Sequence, residues 1–288
     1  MKKINWIADW FVSELPGGGA ELADVAAMET LSKEYMVETI HSHDVTANML
    51  NGSYKEDLWI VSNFVNMPKE IISLFADKGS KGEIKYIHYS HDHAYCKHRN
   101  PYRHGSEMKC DCNIRSVKPF LNEATAILCQ TYWHKDIWDK NVQNPRKIAV
   151  GSNLWSGSTL DYMESLLGNS KSEEYFIFNS PYPHKNTTGA VNEANTRGLK
   201  YKLVGSVGYE TFLKEISGCE GIIFMPLLAE SLSRILVEAR MCSCKIITNG
   251  LCGANKEEWF SLKGKDLVDY MRNKQPQRLL DIIGSLMC

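Results

Sequence analysis

The chain has 288 residues, 43% apolar and 23% charged, with 33 basic and 34 acidic side chains for a formal net charge of −1. This ordinary globular mix has room for one large or two medium domains, and its balanced charge excludes bulk attraction to nucleic acid or an anionic membrane. No apolar window approaches the roughly 18 residues of a membrane span.

MKKINWIADWF, interrupted by Asp9, lacks the apolar core of a signal peptide. Nine cysteines, an odd number without an evident framework, fit a reducing, cytoplasmic setting.

Along the chain, short apolar runs alternate with helix-period segments, the pattern of α/β units around a parallel sheet. The runs INWIAD, MVETIHS, DLWIVSN, IKYIHYS, TAILCQ and KIAVG predict strands in the first half. Between them, AELADVAAMETLSKE, MPKEIISLFADK and YWHKDIWDKNV predict helices. Near Asn153 the pattern lapses into SNLWSGST, a polar connection that sets a boundary between domains 1–152 and 153–288. A second series begins at EYFIFNS. It continues through helical TTGAVNEANTR, the strand KYKLVG, the helix ETFLKEIS, the strand GIIFMP, a helix from Ser233 to Met241 and the strand KIITN. A polar, helical stretch, 265–286, closes the second domain. Two doubly wound domains in succession imply a cleft, with ligands at the carboxyl ends of the strands.

In MPLLAESLSRILVEA, Pro226 ends a strand, Ser231 and Ser233 are candidate N-caps, and Arg234 opens the helix. Glu230 stands in the loop and Glu238 inside the helix. Such a loop aims backbone N–H groups and a positive helix end at an anion, while the two carboxylates can accept from hydroxyls. Hydroxyls on either side of a diphosphate describe a nucleotide sugar. As an isolated pair, the two glutamates would read as solvated surface residues.

PLLAESLSRILVEARMCSCKIITN resembles the segment of retaining glycosyltransferase family four in which two glutamates stand with seven residues between them and the second is followed by an alanine. Here they are Glu230, Glu238 and Ala239. The resemblance implies a GT-B fold: α/β, two Rossmann-like domains facing a central cleft, acceptor on the N-terminal side and donor on the C-terminal side. By that likeness Glu230 contacts the sugar hydroxyls and Glu238 the ribose, with the N–H groups near Leu232 and Ser233 at the diphosphate.

Other stretches agree. LPGGGAELADVAAMETLSKE resembles the family's first Gly-rich loop and helix, which gives Gly17, Gly18 and Gly19 a place at the donor. YIHYSHDHAY resembles the strand ending in His-Asp, which makes His91 the catalytic candidate, with His88 and His93 as neighbours to which the assignment could slip. FNSPYPHKNTTGAV resembles the first strand of the donor domain, and Lys185 matches its lysine. The arginine that partners this lysine in the family is absent, so Lys185 carries the diphosphate alone or with Arg234. NGLCGANKEEWF matches only loosely. No Asp-x-Asp pair is present to hold a divalent ion on a diphosphate. The implied reaction is therefore retaining sugar transfer without metal or cofactor, with Lys185 and Glu230 joining His91 as its catalytic groups.

HYSHDHAYCKHRNPYRHGSEMKCDC, 88–112, is dense in histidine and cysteine. Zinc on Cys96, Cys110, Cys112 and one histidine is one possibility, but the spacing fits no standard knuckle. The alternative is a basic loop, with Lys97, Arg99, Arg103 and His104 facing an anionic acceptor. DNA would be such an acceptor, stacked on Tyr95 and Tyr102. We expect the loop. A rival to the transferase is a nucleotide- or sugar-binding GT-B module that has lost catalysis, favoured by the missing arginine. An epimerase or phosphorylase of the same fold is a further option, though such phosphorylases are much longer.

Overall fold

The computed structural model describes residues 2–12, 18–52, 57–112 and 117–288. These divide into two compact units, one of 1–154 with 275–288 and one of 155–274.

The first unit runs β1 (Lys3–Ala8), α1 (Gly19–Leu31), β2 (Met36–His41), α2 (Ala47–Asn51), β3 (Leu58–Val61), α3 (Lys69–Ser80), β4 (Lys85–Ser90), α4 (Val117–Glu123), β5 (Ala126–Cys129), α5 (Tyr132–Asp139) and β6 (Lys147–Ala149). All six strands are parallel, in the order β2-β1-β3-β4-β5-β6. Successive side chains of a strand point to opposite faces, and both faces here are covered. Ile4, Trp6, Leu58, Ile60, Ile87 and Leu128 pack against Ala27 and Leu31 of α1. Ile7, Trp59, Val61, Tyr86 and Ile127 pack on the other face against Phe75 of α3, Phe120 of α4 and Trp138 of α5.

The second unit runs α6 (Gly157–Ser165), β7 (Tyr175–Phe178), α7 (Thr187–Thr196), β8 (Tyr201–Val204), α8 (Tyr209–Ser217), β9 (Gly221–Phe224), α9 (Arg234–Met241), β10 (Lys245–Thr248) and the start of α10 (Gly264–Met287). Its four strands, again parallel, take the order β10-β9-β7-β8. Phe176, Ile222 and Phe224 meet Leu213 of α8 and Leu236 and Val237 of α9. Tyr175, Ile177 and Ile223 meet Ala190 and Ala194 of α7.

Two features differ from the sequence reading. The closing helical stretch does not lie wholly in the second domain, because residues 275–288 belong to the first unit. The cause is hydrophobic: Leu279, Leu280, Ile283 and Leu286 of α10 complete the core around Ile4, Trp6 and Leu31. Pro276, inside α10, stands beside the point where the chain passes back to the first unit. The supposed polar connection is also buried in large part, with Ser152 and Asn153 at 0% and 2% exposure and Leu154 and Trp155 in the cores. Ser156 then caps α6, its Oγ accepting from the Thr159 N–H at 3.2 Å.

His88, His93 and His134 are buried in the first unit. Loss of solvation holds His88 and His134 down to about 3, and His93 well below its ordinary value. The unfolded chain takes up protons on these rings below about pH 6.5, whereas the folded chain refuses them until far lower pH. Stability attributable to them is therefore intact above that value and lost as pH falls toward 3. The urea midpoint is expected to drop between about pH 7.5 and pH 5.5; a flat profile would mean that the three rings protonate within the native fold.

Candidate functional site

In a doubly wound sheet, ligands sit beyond the carboxyl ends of the strands where the strand order reverses. In the first unit that place is between β1 and β3. Gly18, in extended conformation, is the N-cap of α1, which Gly19 opens; Gly17 lies outside the described residues. One turn on, Asp24 falls on the buried stripe of the helix with Ala23, Ala27 and Leu31 and is 2% exposed. Its carboxylate accepts from Ser62 Oγ at 2.6 Å, just past β3, and lies 2.7 Å from His91 Nε2, just past β4. Gln130, past β5, donates through Nε2 to His91 Nδ1 at 3.1 Å. His91 is thus held from both ring nitrogens, its Nε2–H directed at Asp24. His88 and His93, at 2% and 1% exposure, belong to the core instead.

The adjoining loops are fixed by Asp9. Its carboxylate accepts from the backbone N–H groups of Val65 and Asn66 at 2.8 and 3.0 Å, and from Ser42 Oγ. Arg99 bonds Asp92 Oδ2 at 2.5 Å and Asn63 Oδ1 at 3.2 Å. Tyr95 is 1% exposed, with its hydroxyl 3.1 Å from His93 Nδ1, so it cannot stack on a base as the sequence reading supposes.

His91→Ala removes a charge-assisted partner from a buried carboxylate and should cost the first unit about 1.5–3 kcal/mol. Denaturant unfolding checks this, and an unchanged midpoint would mean that water serves Asp24 equally well.

In the second unit the order reverses between β9 and β7. The loop after β7 carries Lys185 and the loop after β9 carries Glu230. Lys185 Nζ lies 2.8 and 3.0 Å from the two carboxylate oxygens of Glu230, making a bidentate, partly buried ion pair. The backbones are tied as well: Leu227 N–H donates to His184 O at 2.9 Å, and Asn186 Nδ2 to Met225 O at 2.7 Å. Asn186 also caps α7 from the left-handed region, accepting from Gly189 N–H at 3.1 Å. Glu230 is held further by an isolated bridge to the 251–253 segment, its N–H donating to Leu251 O at 2.8 Å and its O accepting from Gly253 N–H at 2.9 Å. This gives NGLCGANKEEWF a role: it braces the glutamate loop.

Glu238 occupies a different setting. It is 2% exposed, and its Oε1 accepts from Tyr209 Oη at 2.6 Å and from Trp155 Nε1 at 3.1 Å. Arg234, one turn earlier on α9, places Nε 3.3 Å from the same oxygen and lays its guanidinium over the Trp155 ring at 4.4 Å. Burial beside Glu238 raises the Tyr209 hydroxyl above its ordinary value, so it stays protonated and donates. Leu232 is in the core, and Ser233 takes φ 77° at the start of α9, a left-handed conformation that non-glycine residues adopt at a cost.

Sequence reasoning missed Asp24, Ser62, Gln130, Tyr209 and Trp155. Asp24 left a signal, as an acid inside the alanine stripe of α1. Trp155 was hidden in an apparent linker.

Solved structures share this architecture of two consecutive parallel α/β units, and the chain has the GT-B fold. Anabaena HepE in complex with UDP is 13% identical, with a TM-score of 0.54 over 100% of this chain and 96% of its own. Its complex with UDP-glucose aligns at the same identity and TM-score over 100% and 94%. AviGT4, a glycosyltransferase involved in avilamycin A biosynthesis, is 9% identical, with a TM-score of 0.55 over 99% and 97%. No protein-family model and no curated protein matches the sequence. Among the described residues, no helix is long and apolar enough to cross a membrane.

Proposed function

We propose that the protein is a retaining glycosyltransferase of the family-four kind, moving a sugar from a nucleotide diphosphate sugar to an acceptor hydroxyl without a metal or cofactor in the transfer. The observation that carries this is the Lys185–Glu230 pair at the reversal between β7 and β9, in a segment with the family's glutamate spacing. An incoming donor separates the pair. Its diphosphate takes the ammonium of Lys185 and its sugar hydroxyls donate to Glu230, so neither charge is left alone. The N–H groups around Leu232 and Ser233, at the start of α9, add to the anion site. Glu238 is assigned to the ribose and Arg234 to the wall behind it, while Gly17, Gly18 and Gly19 are assigned to the donor at the first unit's Gly-rich loop. His91, oriented by Asp24 and Gln130, is the catalytic group of the first unit. That HepE was solved with UDP and with UDP-glucose supports a uridine donor as the first to try. Nine free cysteines support a reducing, cytoplasmic setting.

The test is incubation with a panel of nucleotide sugars, followed by release of the nucleotide diphosphate and by the anomeric configuration of the product. Release with retention, not accelerated by added magnesium or manganese, is expected. Tight nucleotide binding with no release under any acceptor would favour the second reading, a GT-B module that binds donors without reaction. The missing arginine and the commitment of Arg234 to Glu238 speak for that reading. An anionic acceptor is retained. DNA is less favoured, since Tyr95 is buried and Arg99 is tied to Asp92.

A further inference from the structure

The connection from β4 to α4 is long and, in its described part, irregular, with only one turn of 3₁₀ helix at Pro101–His104. Arg99, Met108 and Gly105 in it all take positive φ. A segment of this kind inside a compact domain needs something besides regular hydrogen bonding to hold it.

Its cysteines converge on one histidine. Cys96 Sγ, Cys110 Sγ and Cys112 Sγ lie 3.5, 3.7 and 3.3 Å from His104 Nε2. The four ligand atoms all fall within 4.8 Å of one another. Three thiols cannot be satisfied by the single lone pair of one imidazole nitrogen. A tetrahedral ion at their centre would bind all four atoms at once. With Zn–S of about 2.3 Å and Zn–N of about 2.0–2.1 Å, the sulfur-to-nitrogen edge of the tetrahedron is about 3.5 Å, the length around which the three observed separations scatter.

The surroundings fit as well. Asp111 Oδ1 stands 2.8 Å from His104 Nδ1. It holds the proton there and turns the lone pair of Nε2 toward the sulfurs, the arrangement that metal-binding histidines ordinarily have. The N–H of Cys112 donates to Cys110 Sγ at 3.4 Å, support that a thiolate ligand draws on. The cluster is anchored just past the end of α5: Cys110 N–H donates to Asn141 Oδ1 at 2.7 Å, and Asn141 Nδ2 donates to Met108 O at 2.8 Å and to Ile137 O of α5 at 2.7 Å. Cys96 and Cys112 are buried, while Cys110 and His104 are partly exposed, which leaves a way in for the ion.

We propose that Cys96, His104, Cys110 and Cys112 form a structural zinc site that fixes the β4–α4 connection. Four protein ligands close the coordination sphere, so the ion is structural and holds no water for chemistry. Binding displaces three thiol protons and leaves three thiolates and a neutral imidazole on the metal. The site pins the far end of the segment that begins with His91 and Asp92. It therefore steadies the first unit's strand ends, whether or not the chain transfers sugar. In sequence, the interval from Cys110 to Cys112 conceals the site; the fold supplies the histidine from the other side of the loop.

The full chain, purified without chelator, should carry about one zinc per molecule by elemental analysis. Refolded with cobalt, it should show the visible bands of tetrahedral cobalt bound to thiolate. Cys96→Ser and Cys110→Ser should each lose the metal, while Cys288→Ser, at the exposed C-terminus, should keep it. If the ligand variants fail to fold, the zinc content and cobalt spectrum of the unaltered protein still decide the matter. Absence of stoichiometric zinc together with no thiolate–cobalt spectrum would overturn the proposal. So would ligand variants that retain full metal, or fewer than nine titratable thiols after unfolding, which would mean a disulfide in place of the ion.

Discussion

Lys185→Ala is expected to lower turnover by about 10²–10³-fold while weakening donor binding far less. Negative charge on the departing diphosphate grows as the glycosidic bond breaks, and a fixed cation acts most strongly on the charge that is greatest in the transition state. Lys185 is well placed for this. Its ammonium already sits on a carboxylate at 2.8 and 3.0 Å, and its loop is tied by main-chain hydrogen bonds to the loop of its partner. The substitution also leaves Glu230 without its cation next to an incoming dianion, so some loss of affinity accompanies the loss of rate. Lys185→Arg should recover part of the turnover. The measurement is kcat set against the donor dissociation constant. Unchanged kcat in Lys185→Ala, with Arg234→Ala inactive, would move the diphosphate clamp to Arg234.

Glu238→Ala is expected to destabilise the second unit by about 3–5 kcal/mol, the cost of stranding one member of a buried ion pair. Arg234 would keep its charge against the Trp155 ring with no carboxylate, and Tyr209 Oη and Trp155 Nε1 would lose their acceptor. Glu238→Gln retains an oxygen for the two neutral donors and should unfold at an intermediate temperature. Thermal unfolding of the three proteins gives this order directly. Equal midpoints would show that Glu238 contributes to ligand binding alone.

The alternation of strands and helices was readable from the sequence because each buried strand is a short apolar run bounded by turn residues, and each long helix keeps a 3.6-residue stripe. The helices that escaped notice, α2, α4 and α6, span five, seven and nine residues. At that length a helix is held by packing more than by its own periodicity. The return of α10 to the first unit was illegible for a related reason, since nothing in LLDIIGSLM says which of two cores it will complete.

Within the site, Lys185 and Glu230 were legible as separate motif positions, but their pairing depends on β7 and β9 being neighbours. The histidines show the limit most clearly. His88, His91 and His93 lie within six consecutive positions, and only the strand geometry sends His88 to the core and His91 to Asp24.

Hydrogen exchange of the full chain with and without a nucleoside diphosphate tests the donor site most directly. Protection is expected in 183–187 and 226–238, the two loops that carry Lys185 and Glu230 and the start of α9, and it should be lost in Lys185→Ala. A nucleoside diphosphate that binds the chain yet leaves both segments exchanging as before would contradict the assignment of the donor to the reversal between β7 and β9.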